Sequence, residues 1–301
     1  MIKVDIISGF LGSGKTTLIK KLLHSFNNEK VVIIENEFGK IGIDGEIIKK
    51  DGFEVIELQN GCICCSIKLN FKDTILEIIK ELNPDRIIIE PTGIGLLSEI
   101  IAMLNDCKIK ESCVINSLIT VVDGINYFDY IDSFGDFFED QILNASMLII
   151  SKSQFIDDNI LNDILNSLKN INKRAYIVSE NWEDLSSKDI INLLNGNVLS
   201  DLNYLHKKEI NETMKGITSI SIEPSNTYDI DELESIFENL KSERFGKVIR
   251  GKGFLDSNNK LLEFNYINGH YTINESKIKT NPKICIIGKN LKKDNIINIF
   301  R

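Results

Sequence analysis

The amino-acid sequence predicts an α/β fold in which a mainly parallel sheet is followed by a small α+β domain. Three observations support this class. The first half of the 301 residues alternates apolar, β-rich runs with segments of helical period. A glycine-rich loop joins the first run to the first helix, and the residues after about 216 contain one strand, one helix and then further strands. Strands joined through helices favour parallel pairing, with both faces of the sheet covered.

The predicted strands of the first half are apolar on both faces and rich in Val and Ile, which favour the β conformation. They are Lys3–Ser8, Val31–Glu35, Glu54–Leu58, Arg86–Glu90, Leu118–Asp123, Met147–Ser151 and Ala175–Ser179. Apolar residues that recur with a helical period predict helices between several of these strands. The helices are Lys15–Phe26, Ile67–Leu82, Leu96–Leu104, Ile156–Leu168 and Asp189–Leu194.

Residues 196–215 show no clear period and contain many Asn, Gly and charged residues. We therefore predict a linker there, between a first domain at 1–195 and a second at 216–301. The second domain begins with a predicted strand and a helix, continues with a hairpin that turns at residues 256–259, and ends with a strand and a short helix. Its elements are Gly216–Ile222, Asp229–Leu240, Gly246–Leu255, Leu261–Tyr266 and Pro282–Gly288.

Composition and charge exclude several classes of protein. The net charge is −9, with 43% hydrophobic and 26% charged residues. An acidic chain of this balance is globular, and it is poorly suited to coat nucleic acid or an anionic membrane. No uncharged apolar run approaches the roughly 20 residues that span a bilayer, and the first residues lack the pattern of a secretory signal. We therefore expect a cytoplasmic protein that binds neither nucleic acid nor membrane.

The glycine-rich loop at Gly9–Thr16 (GFLGSGKT) fits the pattern G-x-x-x-x-G-K-[ST] between a strand and a helix. Glycines let successive backbone N–H groups converge on phosphate oxygens, and the following helix adds the positive end of its dipole. Lys15 reaches the β- and γ-phosphates, and the Thr16 hydroxyl is a ligand for Mg²⁺. The sequence thus predicts a P-loop NTPase domain. The predicted nucleotide contacts of this loop are Gly9, Gly12, Ser13, Gly14, Lys15, Thr16 and Thr17.

Mg²⁺ in such a site also needs an acidic group at the end of a neighbouring strand. The apolar run 86–90 ends in Glu90, and Gly93 follows three residues later, where its backbone N–H can sense the γ-phosphate as part of a switch loop. A second apolar run ends in Asp123, so the pattern alone leaves two candidates. We favour Glu90 because Gly93 follows it, and we predict that Lys15 and Glu90 take part in catalysis.

Three of the six cysteines cluster in one short loop, at Cys62, Cys64 and Cys65. Thiolates at this spacing can converge on one Zn²⁺, Co²⁺, Ni²⁺ or Cu(I) ion and leave one position open, which suits a metal that must later leave. Two alternatives stay open: the cysteines are small buried residues, or the adjacent Cys64 and Cys65 have a redox role. Cys107, Cys113 and Cys285 are scattered and receive no role.

Several segments together resemble the CobW-type (CobW/HypB/UreG) metallochaperone GTPases. They are SGFLGSGKTT at 8–17, NEFG at 36–39, GCICC at 61–65, EPTG at 90–93, RFGKVIRGKGF at 244–254 and IIGK at 286–289. The phosphate loop by itself is common to many families, whereas its combination with the C-x-C-C loop is specific. The segments occur in the family's order and cover nearly the whole chain.

The resemblance implies a GTPase whose hydrolysis cycle is coupled to delivery of zinc, cobalt or nickel into a client protein or a cofactor pathway. It implies that the C-x-C-C loop holds the metal near the switch region. It also makes Glu37 a catalytic candidate, for Mg²⁺ binding, water positioning or a weak metal contact, with a solvated loop acid as the alternative.

One segment departs from the family's pattern. The guanine-reading motif of the family is Asn-Lys-x-Asp, and the matching residues here are Ser151, Lys152, Ser153 and Gln154. Lys152 can still cover the plane of the base. Gln154 offers one acceptor and one donor in place of a carboxylate, so it can pair with guanine or with adenine. GTP is the expected nucleotide by resemblance, and ATP is the alternative.

Two other functions remain open from the sequence. One is a metal- or redox-responsive regulatory switch that keeps its metal and changes its affinity for a partner. The other is a nucleotide-dependent enzyme such as a kinase, with a structural thiol loop. Self-association into a homo-oligomer also remains open.

Overall fold

The structure is a computed structural model whose described residues fall into two compact units, one within residues 1–196 and one within 217–300. The residues described are 1–23, 25–26, 29–35, 54–57, 67–93, 95–181, 184–196, 217–258, 260–276 and 281–300. Each unit has its own sheet. Within these ranges, no helix is long and apolar enough to cross a membrane.

The first unit contains a seven-stranded sheet among its described residues, and every pair of neighbouring strands is parallel. The strand order is β3-β2-β4-β1-β5-β6-β7. The strands are β1 (Ile2–Gly9), β2 (Val31–Glu35), β3 (Glu54–Glu57), β4 (Arg86–Glu90), β5 (Cys113–Asp123), β6 (Met147–Ser151) and β7 (Tyr176–Val178). The helices are α1 (Lys15–Leu23), α2 (Ile67–Leu82), α3 (Leu97–Leu104), α4 (Cys107–Lys110), α5 (Tyr127–Leu143), α6 (Asp158–Ile171) and α7 (Ser187–Gly196).

Burial in this sheet follows the apolar character of its strands. Every residue of β2, β4 and β6 is buried, as expected for parallel strands that are covered on both faces. The apolar face of α1 packs onto one side of the sheet, through Leu18, Ile19 and Leu22. Since all of these strands run in the same direction, the loops that follow them meet at one edge.

The predicted fold class is confirmed, and in the first unit the structure adds two helices and shifts several element boundaries, most of all that of β5. Strand β5 begins at Cys113, where the sequence had predicted a start at Leu118. Helix α5 was not predicted, because Gly135 interrupts an aromatic-rich segment whose apolar period is hard to recognise. The backbone is indeed non-helical at Phe134, with φ −136° and ψ 21°, so two helical stretches meet at a kink. The four-residue helix α4 is too short to give a periodic signal.

The second unit is a five-stranded antiparallel sheet with two helices among its described residues. The strand order is β11-β10-β9-β12-β8. The strands are β8 (Ile217–Ile222), β9 (Lys247–Ser257), β10 (Lys260–Ile267), β11 (His270–Glu275) and β12 (Lys283–Lys289), and the helices are α8 (Ile230–Asn239) and α9 (Lys293–Ile299). Its core includes Leu233 and Phe237 of α8 and Ile284 and Ile286 of β12.

Strand β11 was not predicted, although the sequence contains a turn signal for it. Asn268 and Gly269 join β10 to β11, with φ angles of 46° and 88°. Both residues occupy the left-handed region that a two-residue hairpin turn requires, and Asn-Gly is the preferred pair there. The strand itself is mostly exposed at the edge of the sheet, and its apolar alternation is limited to Tyr271 and Ile273, which is too short a run to predict a strand.

A buried cation lies near the end of the parallel sheet opposite the phosphate loop. Arg86, the first residue of β4, is 1% exposed. Its guanidinium forms ion pairs with Asp5 and Glu29 and stacks on Phe26, with 4.3 Å between Cζ and the ring centroid. Burial alone would lower the pKa of Arg86, but the carboxylates of Glu29 and Asp5 outweigh it and raise that pKa.

Asp5 connects three strands through this cluster. It lies on β1 and receives the guanidinium of Arg86 from β4, while Asn116 and Ser117 of β5 donate hydrogen bonds of 2.7 and 2.6 Å to its Oδ1. The register of β1 against β5 shifts at Asp5, which is consistent with the side chains of two consecutive β5 residues both reaching it. All the groups in this cluster are paired, which a buried charge needs in order to be tolerated.

We expect Asp5→Ala to lower the free energy of unfolding by about 3–5 kcal/mol, because it removes the fully buried partner of the Arg86 guanidinium. Urea denaturation monitored by circular dichroism measures this change. The control is Lys80→Ala in the same unit, which removes an ion pair with Glu81 whose side chains are 82% and 60% exposed. That control should leave the urea concentration at the midpoint of unfolding unchanged. A loss below about 1 kcal/mol in Asp5→Ala would contradict a structural role for the cluster.

Candidate nucleotide-binding site

The phosphate loop lies between β1 and α1 and has the backbone geometry that its glycines permit. Gly9, Gly12 and Gly14 have φ angles of 141°, 73° and 103°, which other residues rarely adopt. A Cβ atom on Gly9 would lie 2.4 Å from the carbonyl oxygen of Val121, so this glycine also allows the loop to approach β5 closely. Helix α1 begins directly after the loop, and its N-terminus points at the site where phosphates would bind.

Lys15, Thr16 and Glu90 come together at this loop. The Thr16 hydroxyl lies 3.4 Å from both carboxylate oxygens of Glu90, at the end of β4. The Lys15 ammonium lies 3.9 Å from Glu90 Oε1 and donates a hydrogen bond of 3.3 Å to the carbonyl of Phe10. Lys15 is 5% exposed and Glu90 is 9% exposed, so their charges are paired in a largely dry site. The hydroxyl and the carboxylate provide oxygen donors side by side.

The turn after β4 packs directly against the phosphate loop. A Cβ atom on Gly93 would lie 2.6 Å from the backbone nitrogen of Leu11, so only glycine fits at this contact. The turn closes through a hydrogen bond of 2.8 Å from the Gly95 N–H to the Thr92 carbonyl. Gly93 therefore lies directly against the backbone of the phosphate loop.

A buried glutamine on α5 holds this turn. Gln141 Nε2 donates hydrogen bonds to the carbonyl oxygens of Gly93 at 3.1 Å and Gly95 at 2.9 Å. The neighbouring Asp140 accepts a hydrogen bond of 3.1 Å from the Ser98 N–H at the start of α3. Burial raises the pKa of Asp140, and the bonds from Ser98 only partly offset it.

Aromatic side chains on both sides of the kink in α5 pack against the phosphate loop itself. Phe10 contacts Tyr130, Phe134 and Phe138, with ring centroids 4.5, 4.8 and 6.0 Å away. The Tyr130 hydroxyl lies 3.5 Å from the carbonyl oxygen of Leu11. These rings are buried, and such aromatic pairs add to the stability that apolar burial provides. One helix therefore contacts both the phosphate loop and the turn at Gly93.

Asp123 has a different partner from Glu90. Its carboxylate accepts the Lys152 ammonium at 2.6 Å, together with the Ile125 and Asn126 N–H groups at 3.0 and 3.3 Å. Lys152 adopts a left-handed backbone, with φ 61°. The ion pair holds Lys152 after β6, at the same edge of the sheet as the phosphate loop. Gln154 follows in a short 3₁₀ turn and is exposed.

Several predicted site residues fall outside the part of the chain that the structure describes. They are Glu37, Cys62, Cys64 and Cys65. Thr17 is described and is exposed on α1. Among the remaining cysteines, Cys107 is exposed, whereas Cys113 and Cys285 are buried. Within the described ranges, no group of three or more His, Cys, Asp or Glu residues is placed to hold a metal ion.

Two residues of the site were not predicted from the sequence. Gln141 had no signal, because its helix was not recognised and its contacts are with residues more than 40 positions away. Glu35 ends β2 in register with Glu90 and is 2% exposed. An acid at the end of the apolar run 31–34 is the same signal that singled out Glu90 and Asp123.

Two family models match the chain. The nucleotide-binding domain of CobW/HypB/UreG matches residues 3–179, and the cobalamin synthesis protein cobW C-terminal domain matches residues 217–301. The chain belongs to the CobW/HypB/UreG family. The predicted family is therefore confirmed, and its nucleotide-binding model covers the phosphate loop and the turn at Gly93.

Curated relatives of the chain are named as zinc chaperones. Zinc chaperone CobW of Sinorhizobium sp is 33% identical over 184 residues, which are 52% of this chain and 52% of the relative. Zinc chaperone YjiA of Escherichia coli (strain K12) is 29% identical over 264 residues, which are 84% of this chain and 81% of the relative. The chain thus matches about half of the length of the first relative and most of the second.

A solved structure with a similar fold is the Zn(II)-bound YjiA GTPase from E. coli. It is 22% identical to this chain, with a TM-score of 0.49, and the alignment covers 99% of this chain and 98% of the other.

We expect Gly93→Ala to weaken nucleotide binding by roughly tenfold or more, because the added methyl group overlaps the backbone of Leu11 and the loop or the turn must move. Titration with a fluorescent guanine nucleotide measures the affinity. Gly135→Ala is the matched control, since a Cβ atom there meets nothing within 4 Å. It should leave the affinity unchanged and raise the stability of α5 by about 0.5–1 kcal/mol. Unchanged affinity in Gly93→Ala would show that the contact with Leu11 does not matter for binding.

Proposed function

We propose that this chain is a GTP-hydrolysing metal chaperone that binds zinc through its C-x-C-C loop and delivers it to a client. The observation that carries the proposal is the arrangement of Lys15, Thr16, Glu90 and the Gly93 turn around one phosphate loop. Membership of the CobW/HypB/UreG family and relatives named as zinc chaperones support the metal part.

The phosphate loop would bind the triphosphate through its backbone N–H groups and the positive end of α1. Lys15 would turn from the carbonyl of Phe10 to the β- and γ-phosphate oxygens and balance their charge. The Gly93 N–H would then meet the γ-phosphate from the neighbouring turn. Hydrolysis removes that contact, so the turn would respond to whether a triphosphate or a diphosphate is bound.

The donor set at Thr16 and Glu90 fits a magnesium ion. A hydroxyl and a carboxylate that lie 3.4 Å apart are oxygen ligands of the kind that Mg²⁺ prefers, and two such groups leave room for water and phosphate oxygens. When bound, Mg²⁺ would neutralise charge that develops on the β- and γ-phosphates. Asp123 is the poorer candidate, because Lys152 and backbone N–H groups already use its oxygens.

For the metal, we propose that the thiolates of Cys62, Cys64 and Cys65 are the ligands. Three thiolates suit Zn²⁺ and leave one tetrahedral position for water or for a ligand of the client. Cobalt and nickel remain competing cargos, because thiolate sites do not by themselves select among these ions. Glu37 would act beside the loop, in Mg²⁺ binding, water positioning or a weak contact with the metal.

We propose that the nucleotide site and the thiol loop are coupled, because their segments are close together in the sequence. The thiol loop at 62–65 lies in the chain between the NEFG segment at 36–39 and the turn at 90–95. Nucleotide binding would engage these segments and thereby change the affinity for the metal or for the client. We propose domain limits of 1–195 and 216–301, with client recognition in the second domain. A homo-oligomer is compatible with the same cycle.

The direct test replaces Cys62, Cys64 and Cys65 together by Ser. We expect the variant to lose bound zinc and to retain GTP binding, because serine is a poor ligand for Zn²⁺ and the phosphate loop is unchanged. Anaerobic purification with metal analysis, and GTP titration and turnover on the same samples, measure both properties. Cys107→Ser, at an exposed cysteine with no predicted role, is the control and should retain zinc. Zinc retained by the triple variant would refute the proposed metal site.

The same samples distinguish a chaperone from a regulatory switch. A chaperone should transfer its zinc to an acceptor protein or a chelator faster during GTP hydrolysis. A switch should keep the metal and change its affinity for a partner instead. If zinc affinity and partner binding are both the same with and without Mg²⁺ and GTP, the proposed coupling is wrong.

Whether the protein prefers guanine or adenine is also open, because Gln154 stands where the family's motif has Asp. A carboxylate in its place would accept hydrogen bonds from both N1–H and the exocyclic amine of guanine, whereas an amide accepts through one oxygen only. The observed contact of Lys152 with Asp123 supports base binding beside this residue. ATP or relaxed specificity is therefore the alternative to GTP.

We expect Gln154→Asp to raise the preference for GTP over ATP by roughly tenfold or more, because charge-assisted hydrogen bonds are stronger than neutral ones. The ratio of the GTP and ATP affinities is measured by letting each nucleotide displace a fluorescent diphosphate from the protein. Asn159→Asp adds the same charge at an exposed position of α6 and should leave the ratio unchanged. An equal shift in both variants would mean that Gln154 does not contact the base.

A further inference from the structure

Gln141 is fully buried on α5, and both of its observed hydrogen bonds go to one turn. Its Nε2 donates to the carbonyl oxygens of Gly93 and Gly95. Its side chain is 0% exposed, and its Oε1 has no hydrogen-bond partner among the described residues. The two carbonyls determine the orientation of the amide, because a rotated amide would place its oxygen against theirs.

The hydrogen bonds of the turn fix the direction of the Gly93 N–H. Gly95 N–H donates to the Thr92 carbonyl at 2.8 Å, which orients the peptide between Thr92 and Gly93. In a planar trans peptide the N–H points opposite to the carbonyl. The Gly93 N–H therefore points away from the interior of its own turn. Gln141 holds the next peptide through the Gly93 carbonyl, so the turn is held on both sides of Gly93.

Helix α5 connects this turn to the phosphate loop. Tyr130 and Phe134 contact Phe10 at one end of the helix, and Gln141 contacts the Gly93 turn near the other. The kink at Phe134 lies between Tyr130 and Gln141. Thr120 Oγ1 donates to the backbone carbonyl of Gln141 at 2.6 Å and so anchors this end of the helix to β5.

We propose that Gln141 is a positioning residue that holds the Gly93 N–H in place for the γ-phosphate. This inference rests on the proposed GTP hydrolysis and adds to it the residue that presets the switch turn. Gln141 does not touch the nucleotide. By holding the carbonyls of Gly93 and Gly95, it lets the turn meet a triphosphate without first being ordered, and it links that contact to α5.

If Gln141 positions the Gly93 N–H, its loss should affect diphosphate and triphosphate binding differently, whereas loss of mere structural support should not. A diphosphate has no γ-phosphate and does not need the Gly93 N–H, so loss of Gln141 should not weaken its binding. A triphosphate also needs the Gly93 N–H, so its affinity and the rate of its hydrolysis should fall. A residue that only stabilises the fold would affect both nucleotides alike.

The experiment compares Gln141→Glu and Gln141→Met with a matched control. Methionine keeps the approximate size without a donor, and a buried glutamate keeps at most the single donor of its protonated carboxyl group. The control is Asn172→Asp, since Asn172 is also a buried amide whose Nδ2 donates to carbonyls, here those of Ile142, Leu143 and Ala145. These carbonyls lie beyond Gln141 at the end of α5 and not in the turn.

Affinities for a fluorescent diphosphate and for a non-hydrolysable triphosphate are measured with Mg²⁺, together with kcat, KM and Tm. In both Gln141 variants we expect kcat and triphosphate affinity to fall by roughly tenfold or more, which corresponds to the loss of one or two net hydrogen bonds. Diphosphate affinity should stay within about twofold. Asn172→Asp should lower Tm and leave the ratio of the two affinities unchanged.

Three results would overturn the inference. The first is wild-type kcat and triphosphate affinity in both Gln141 variants. The second is an equal loss of diphosphate and triphosphate binding in the Gln141 variants. Loss of diphosphate binding in both Gln141 variants, while Asn172→Asp retains it, counts in the same way. Either outcome would make Gln141 a structural residue. The third is the absence of GTP hydrolysis in the unaltered chain, which would refute the proposed function and the inference with it.

Discussion

Parallel pairing of β1 with β4 on one side and β5 on the other is the constraint on which the site depends. The register places Ile6 beside Ile89 and Gly9 beside Val121. Because parallel strands all end at the same edge, the phosphate loop, the end of β4 and the end of β5 meet there. The residues that follow these strands then need only short loops to bring hydroxyl, ammonium and carboxylate groups together.

The opposite end of the same three strands is held by charge. Asp5, Arg86 and Asn116 belong to β1, β4 and β5, and their hydrogen bonds join the strands where the register of β1 shifts. A buried ion cluster is costly to desolvate, so it tolerates few alternative arrangements of its partners. We infer that it helps to keep these strands in register and so contributes indirectly to the geometry of the nucleotide edge.

Helix α5 contributes strongly to the geometry of the site, although the sequence did not predict it. Its aromatic residues pack on Phe10 in the phosphate loop, and Gln141 holds the turn at Gly93. The helix has a kink at Phe134, and it carries a buried acid, Asp140, whose pKa is raised by burial. A helix that contacts both phosphate-facing segments through buried groups links any movement of one to the other.

Much of the fold and part of the site followed from the sequence. The strands Val31–Glu35, Arg86–Glu90 and Met147–Ser151 were predicted with their observed limits, because they are continuous apolar runs ended by polar residues. Strand β11 was missed because it is an exposed edge strand, and α5 because Gly135 interrupts its period. Glu90 had been favoured over Asp123 as the acid for Mg²⁺ because Gly93 follows it, which stays a prediction, and the structure places the Glu90 carboxylate beside the Thr16 hydroxyl.

By itself, the sequence determined the chemistry that is local along the chain. The phosphate loop at 9–16 and the thiol loop at 62–65 are short patterns whose residue types predict a ligand class, a phosphate for the first and a metal ion for the second. Only the tertiary structure decided which groups meet across the chain: Glu90 with Thr16, Asp123 with Lys152, and Gln141 with Gly93. The physical reason is that strand order and register, which no local pattern encodes, determine which loops share the edge of a parallel sheet.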